Sequence, residues 1–306
     1  VKFHITKNIT VLFLILIIPA SSAHSRKNTP YHKTQTIPAI KIASFNIQTF
    51  GIKKINRPRT LTVLAEIASN FDIIALQEIG SNRSAASEET CNEIMETYIA
   101  RINEIAGENI YSFIRGDQYA IVYRTDKVKL NDYILYDGEE TFSYPPLIAN
   151  FETVHPDSNL DFSLITIHTS PKLAEEEIPA LKAVIEETRD LYCEPDVICL
   201  GDFNADGSYF YEGDESHLSE FDPESYITGI PNYYDTTVAD SDNTYDRIQM
   251  TINMRNDYTG KSGVFRFGEV YDITGCEGGR TKAGTEKAVS DHYPVWCEYF
   301  TDRDKD

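Results

Sequence analysis

The sequence predicts an α/β or α+β fold built as one domain, and three features of its 306 residues carry that expectation. From Ile40 onward, short β-rich runs alternate with helix-patterned segments. No Pro/Gly/Ser-rich linker or shift in composition divides the chain after about residue 38. Apolar, strand-like runs also end repeatedly at a polar residue able to do chemistry, which would gather those residues along one rim of a sheet.

Taken in order, the first segment is an export address rather than an element. Lys2 and Lys7 precede the unbroken apolar run Val11 to Ile18 and the small residues Ala20-Ser21-Ser22-Ala23, the order of a secretory signal. The run is too short to span a bilayer. Cleavage near Ala23 is expected, making 1–23 a signal peptide, 24–38 an N-terminal linker and 39–301 a single domain. The mature protein is expected to be secreted or periplasmic, monomeric and without a membrane anchor. The strands expected next are Lys41–Ile47, Asp72–Gln77, Tyr119–Arg124, Ile148–Val154, Phe162–His168, Val197–Gly201, Asp246–Ile252 and Pro294–Phe300. Helices are expected over Arg57–Asn70, Cys91–Ile105 and Ala174–Leu191. The last opens with Glu175, Glu176 and Glu177, which suits a solvated start at the positive end of a helix dipole. Tyr209–Pro223 reads as an acidic irregular loop, and 301–306 as a frayed tail.

The formal charge is −20, and loss of residues 1–23 would remove two lysines and no acid. Such a field repels nucleic acid at long range, so any contact with it relies on local Arg or Lys and on bound cations. Five cysteines, Cys91, Cys193, Cys199, Cys276 and Cys297, form an odd set without C-x-x-C spacing, which argues against a zinc site. Cys276 and Cys297 flank the last loop and strand and are the expected disulfide if one forms.

Four strand ends carry the chemistry: Asn46 after Ile42-Ala43-Ser44-Phe45, Glu78 after Ile73 to Gln77, His168 after Leu164 to Ile167, and Asp202 after Val197 to Gly201. Phosphodiester hydrolysis needs charge neutralisation at the phosphoryl oxygens, a base for water and support for the leaving oxygen. Hard oxygen ligands suited to Mg²⁺ are available at Asn46, Glu78, Asp202, Asn204 and Asp291. His168 and His292 offer imidazoles, and Asp117 and Asp246 offer carboxylates able to orient them. His155 and His217 read as surface loop residues.

The segments Lys41 to Gly51 (KIASFNIQTFG), Leu76-Gln77-Glu78, Gly201-Asp202-Phe203-Asn204-Ala205-Asp206, Tyr245-Asp246-Arg247-Ile248 and Ser290-Asp291-His292-Tyr293-Pro294-Val295 resemble the successive motifs of the deoxyribonuclease I branch of the endonuclease/exonuclease/phosphatase superfamily. The resemblance covers about residues 40–300. It implies a four-layered α/β sandwich, two packed mixed β-sheets flanked by helices, and metal-assisted hydrolysis of DNA with Mg²⁺ or Mn²⁺ at one end. By that resemblance Glu78 is the metal ligand, supported by Asn46 and Asp291, while Asp202 and Asn204 bind or polarise phosphate and water. His292 pairs with Asp246 as water-activating base, and His168 with Asp117 lies on the acid side. Asn46, Asn204, Arg115 and Tyr245 are expected at the substrate.

Departures from the family fall mainly on residues that hold DNA. Gln48, Gly80 and Tyr144 stand where duplex-cutting members have Arg, and Arg115 stands where a groove-inserting Tyr is expected. Arg83 and Arg115 are the candidates to compensate. Asp117 replaces a longer Glu. Gly207 and Asn243 stand near the places of a missing family disulfide. Asp235-Thr236-Thr237 resembles a calcium-binding turn, so a structural Ca²⁺ is expected at Asp235 and Thr237, while the second calcium loop is shortened near Asp137–Glu140. Tyr209-Phe210-Tyr211 and Tyr233-Tyr234 read as core or cleft walls. The same catalytic set would also serve a phosphodiesterase or phosphatase acting on phospholipid or inositol phosphate, or a toxin-type nuclease subunit.

Overall fold

The structure is a computed structural model describing residues 38–80, 87–138, 141–213, 216–276 and 282–305. The expected signal peptide, the linker up to residue 37 and Arg83 lie outside the described residues. In chain order the elements are β1 (Ala39–Phe50), α1 (Ile52–Ile55), α2 (Pro58–Ala68), β2 (Ile73–Ile79), α3 (Glu88–Ala106), β3 (Tyr111–Gly116), β4 (Tyr119–Arg124), β5 (Val128–Leu135), β6 (Leu147–Thr153) and β7 (Asp161–His168). They continue with α4 (Ala174–Tyr192), β8 (Val197–Asp202), β9 (Tyr226–Thr228), β10 (Asp246–Thr251), a 3₁₀ turn (Ile252–Arg255), β11 (Tyr258–Val264), α5 (Phe267–Val270), α6 (Lys282–Val289) and β12 (Val295–Phe300).

The strands form two six-stranded sheets, ordered β11-β12-β1-β2-β4-β3 and β5-β6-β7-β8-β10-β9. Both are mixed: β1 pairs parallel with β2 and antiparallel with β12, and β7 pairs parallel with β8. Period-two alternation along β1 sends Ile42 to the core between the sheets, and Ala43, Phe45 and Ile47 to the outer core shared with α2 and α3. On the opposite outer face, Ile178, Leu181 and Ile185 of α4 pack on Ile165, Ile167 and Cys199 of the second sheet. The result is the four-layered α/β sandwich that the motifs imply. A buried polar link crosses the inner core: Gln77 Nε2 donates to Ser44 Oγ (3.1 Å) and to Thr166 Oγ1 of the other sheet (3.0 Å).

All eight expected strands form. The four without a clear sequence signal, β3, β5, β9 and β11, are the four outermost strands of the two sheets. An edge strand such as β5 leaves most of its side chains at least partly exposed, so its sequence need not alternate cleanly. α3 starts where Ser87 Oγ accepts the Thr90 amide, with Glu88 and Glu89 in the first turn, and stops at Gly107 with φ 76°. Gly201 lies so close to β7 that a Cβ would overlap the Ile167 carbonyl oxygen, which brings the ends of β7 and β8 together.

Several expectations require correction. Glu177 is fully buried, not solvated: its two carboxylate oxygens accept the Ser143 and Ser170 amides at 2.7 Å each, fastening two loops to the start of α4. All five cysteines are free. Cys276 packs in the outer core of the first sheet and Cys297 in the inner core, so the sheet itself separates that expected pair. A Cβ on Gly207 would lie 3.2 Å from Asn243 Oδ1, which makes these two positions spatial neighbours, joined here without a disulfide. The chain after β12 is docked rather than frayed through residue 304, since Asn159 bonds Thr301 O and Asp304 O at 2.7 Å.

That docking places Asp304 near Asp161 and Glu194. Burial, together with the neighbouring Asp161 and Asp304 carboxylates, pushes Glu194 up to about 8. A carboxyl whose folded value is raised stabilises the fold while it keeps its proton, and that contribution is lost as pH climbs from the ordinary glutamate range toward about 8. The melting temperature of the unaltered protein should therefore fall between about pH 5 and about pH 8 more steeply than that of Glu194→Gln. Parallel slopes in thermal melts would remove this assignment.

Candidate active site

The chemistry-bearing residues meet at one end of both sheets. Asn46 and Glu78 lie near the ends of β1 and β2, and His168 and Asp202 are the last residues of β7 and β8 and pair directly. Asp246 opens β10 opposite Asp202, and His292 precedes β12. The centre is Asp202, 2 % exposed. Its Oδ2 accepts Asn46 Nδ2 from the other sheet at 2.9 Å, and lies 3.4 Å from His168 Nε2 and 3.5 Å from His292 Nε2. Its Oδ1 accepts the Asn204 amide at 3.0 Å. Burial opposes a charge here, but His292, His168 and Asn46 outweigh it and hold the carboxyl below its ordinary range.

His292 is the better anchored imidazole. Its Nδ1 lies 2.8 Å from Asp246 Oδ2, and its backbone amide donates to Ser290 Oγ, which in turn donates to the Asn46 carbonyl. Burial favours the neutral ring, but Asp246 and Asp202 outweigh it and push the pKa up to about 10. For Asp246, burial outweighs the pull of His292 and raises the carboxyl. His168 is held differently: its amide donates to Tyr119 Oη at 3.0 Å and its ring stacks on Tyr144 at 6.5 Å. Its Nδ1 is buried with no hydrogen-bond partner.

The pairing of His168 with Asp117 is not formed. Asp117 is exposed at the tip of the β3–β4 hairpin with φ 49°, and its backbone carbonyl accepts from Arg115. Arg115 is likewise not free for a groove: its guanidinium is largely buried and paired with Glu88 of α3. Asn204 uses its Nδ2 on the Thr169 carbonyl (2.9 Å), which braces the exit of β7. Tyr245 stands beside His292, ring centroids 6.1 Å apart, and beside Tyr209 at 5.6 Å. Tyr211 and Tyr233 are 74 % and 70 % exposed, so the two aromatic clusters are only partly walls. Arg247 turns away from Asp246 and pairs with Glu212 at 2.6 Å, tying down the acidic loop.

The donor set suits a hard divalent cation. Glu78 Oε1 accepts Asn46 Nδ2 (3.1 Å) and Oε2 accepts the Thr49 amide (2.7 Å), so Asn46 joins Glu78 to Asp202. Asp291 acts on the same surroundings electrostatically, since both Lys54 and His292 feel its charge. Among the described residues, ligand atoms of Asp202, Asp246 and His292 also lie within 4.8 Å of one another, and Asp246 Oδ1 is a buried acceptor without a partner. Oxygen donors and an unpaired buried carboxylate oxygen fit a divalent ion at this rim. Asp235 and Thr237 lie together elsewhere, Thr237 Oγ1 donating to Asp235 Oδ1 at 3.3 Å, and Arg266 occupies the other carboxylate oxygen.

Sequence reasoning missed the groups that hold these side chains. Gln48, Thr49 and Glu78 all have positive φ (48°, 50° and 67°), backbone strain concentrated beside the ligands. Lys54 supports it from below: buried, it donates to the carbonyls of Ile47 and Gln48 at 2.7 Å each. Burial pushes its pKa down to about 8 against the pull of Asp291 and Glu78. Ser290 had a usable signal, a hydroxyl directly preceding Asp291-His292, whereas Lys53-Lys54 reads as ordinary surface charge.

The profile of the Endonuclease/Exonuclease/phosphatase family matches residues 43–292. The chain is 29% identical to human Deoxyribonuclease-1 over 84% of its own length and 91% of the relative's. It is 30% identical to mouse Deoxyribonuclease-1-like 2, over 86% and 92%. Among solved structures, D. rerio TDP2 complexed with single strand DNA product superposes with TM-score 0.54 at 16% identity, covering 85% and 98%. A Bacteroides thetaiotaomicron mannosyl-6-phosphatase gives 0.51 at 16%, covering 85% and 99%. At that identity the structural matches speak for the fold.

Lys54→Met should cost about 2 kcal/mol of stability, the scale of a lost charged hydrogen bond, and should lower turnover by releasing the segment that holds Glu78. Unchanged chemical denaturation and unchanged turnover would show that Lys54 supports nothing.

Proposed function

The chain belongs to the endonuclease/exonuclease/phosphatase family, and on that premise we propose that it is a secreted, divalent-metal-dependent endonuclease that hydrolyses DNA phosphodiester bonds. The observation that carries this reading is the convergence of Asn46, His168 and His292 on one buried oxygen of Asp202, with Glu78 joined to it through Asn46. DNA is the proposed substrate because the deoxyribonuclease relatives match over most of both chains. Residues 1–23 serve as the proposed export signal, and the mature protein acts as a monomer. Among the described residues no helix is long and apolar enough to cross a membrane.

Glu78, with Asn46 and Asp291, would hold the catalytic Mg²⁺ or Mn²⁺, which supplies charge neutralisation at the phosphoryl oxygens. The protein groups move the protons. His292 lies between two buried carboxylates, at 2.8 Å and 3.5 Å, and these favour its charged form. It is therefore suited to give a proton to the leaving oxygen. His168 faces the same centre through Nε2, 3.4 Å from Asp202 Oδ2, and takes the proton from water in this proposal. This proposed division differs from the one expected from the sequence because His292 is the ring placed between two buried carboxylates. Tyr245, beside His292, would face the substrate, while Asn46 is buried and serves the centre through Glu78 and Asp202.

The exposed Tyr211 and Tyr233 favour one second reading, hydrolysis of a phospholipid or inositol phosphate at an interface where aromatic side chains bind.

Two experiments decide. The mature chain, given supercoiled plasmid, single-stranded DNA, RNA and a sphingomyelin-type substrate, should nick plasmid with Mg²⁺ and lose all activity in EDTA. Lipid hydrolysis without nicking would transfer the assignment to the second reading. His168→Ala and His292→Ala should each reduce turnover at least ~100-fold. A substrate with sulfur at the leaving position needs no acid and should rescue His292→Ala alone; rescue of His168→Ala instead would restore the opposite division of roles.

A further inference from the structure

The turn 235–237, where resemblance implies calcium, has oxygens that do not suit it. Calcium takes about six to eight oxygen ligands at roughly 2.3–2.6 Å. Here the candidate oxygens are already committed. Asp235 Oδ1 accepts the Thr237 amide at 3.1 Å and hydroxyl at 3.3 Å. Asp235 Oδ2 and the Asp235 carbonyl both accept from Arg266 Nη2, each at 3.3 Å. The Thr236 carbonyl accepts the Tyr293 amide at 2.8 Å, and the Ser241 carbonyl, 3.2 Å from Thr237 Oγ1, shares that one hydroxyl proton with Asp235 Oδ1. The Arg266 guanidinium itself rests on the Tyr293 ring, 4.9 Å from its centroid, immediately before α5. A dication at Asp235 would have to displace this side chain from three contacts.

We propose that Arg266 is the built-in counterion of this turn, taking the place of a divalent cation, and that through the turn it acts as a positioning residue for His292 and Asp246. A guanidinium suits that task because its planar set of donors can join a carboxylate and a carbonyl while its face lies on an aromatic ring. The route to the site is short. Thr237 forms a β-bridge with His292, and the Val238 amide donates to the Asp291 carbonyl at 2.8 Å. Thr236 Oγ1 accepts the amides of Tyr245 (3.1 Å) and Asp246 (3.2 Å). Both members of the His292–Asp246 pair thus hang from Thr236 and Thr237, the two residues that follow the Asp235 that Arg266 holds. An ordinary half-exposed ion pair would be worth little; the carbonyl contact, the ring contact and the coupling to the site distinguish this one.

The role of Arg266 in the turn can be read without any substrate, whichever phosphodiester the site cleaves. Thermal unfolding of the full mature chain is measured at constant Mg²⁺ with either millimolar Ca²⁺ or a calcium-selective chelator. The expected result is the same Tm in both. Arg266→Met should lower that Tm by roughly 3–6 °C and reduce kcat with little change in KM, with Arg266→Lys recovering part of each loss. A calcium-dependent rise in the Tm of the unaltered protein that Asp235→Asn abolishes would overturn the proposal. So would an Arg266→Met variant with unchanged Tm and kcat.

Discussion

A buried carboxylate at the junction of two sheets sets the terms for this protein. Asp202, 2 % exposed, can keep its charge only because an amide from the opposite sheet, two imidazoles and the Asn204 backbone amide surround it. Those partners come from β1, β7, the segment before β12 and the turn after β8, so neither sheet can shift against the other without stranding a charge. The Ser44–Gln77–Thr166 link adds a second polar contact across the inner core. The Gly201 close approach, where no side chain fits, sets β8 against β7 at the same level.

Internal cations manage the negative charge that this arrangement accumulates. Lys54, Arg247 and Arg266 each bond backbone carbonyls beneath or beside the site, and Arg247 and Arg266 also neutralise Glu212 and Asp235. These side chains are committed inside, and Arg115 is paired with Glu88, so none of the four is free to meet a phosphate backbone. A formal charge of −20 sharpens that point. In the proposed reading, a divalent ion held at Glu78 and Asp291 would attract a polyanion locally and so serve substrate recognition as well as chemistry. The proposed catalytic groups alone do not separate DNA from other phosphodiesters, since the same constellation could serve each, and the side chains around them differ in kind. Here those side chains are tyrosines, Tyr144 over His168 and Tyr245 beside His292.

From the chain alone one could read the central strands, the three long helices, the strand-end positions of Asn46, Glu78, His168 and Asp202, and the family motifs that contain Asp246 and His292. These are legible because a buried strand or amphipathic helix writes its environment into a short period, and because the motif residues are contiguous. The four edge strands were illegible for the converse reason: with one neighbour and a wetter face, they carry no clean alternation. Tertiary structure alone decided which charges are free. Glu177 looks like a solvated helix start until Ser143 and Ser170 reach it, Arg115 looks like a groove reader until Glu88 engages it, and Asp235 looks like a calcium ligand until Arg266 arrives from 31 residues away. A side chain's charge is written in its codon, but its partner is set by packing across distant segments, and burial and charge compensation there determine what that side chain can do.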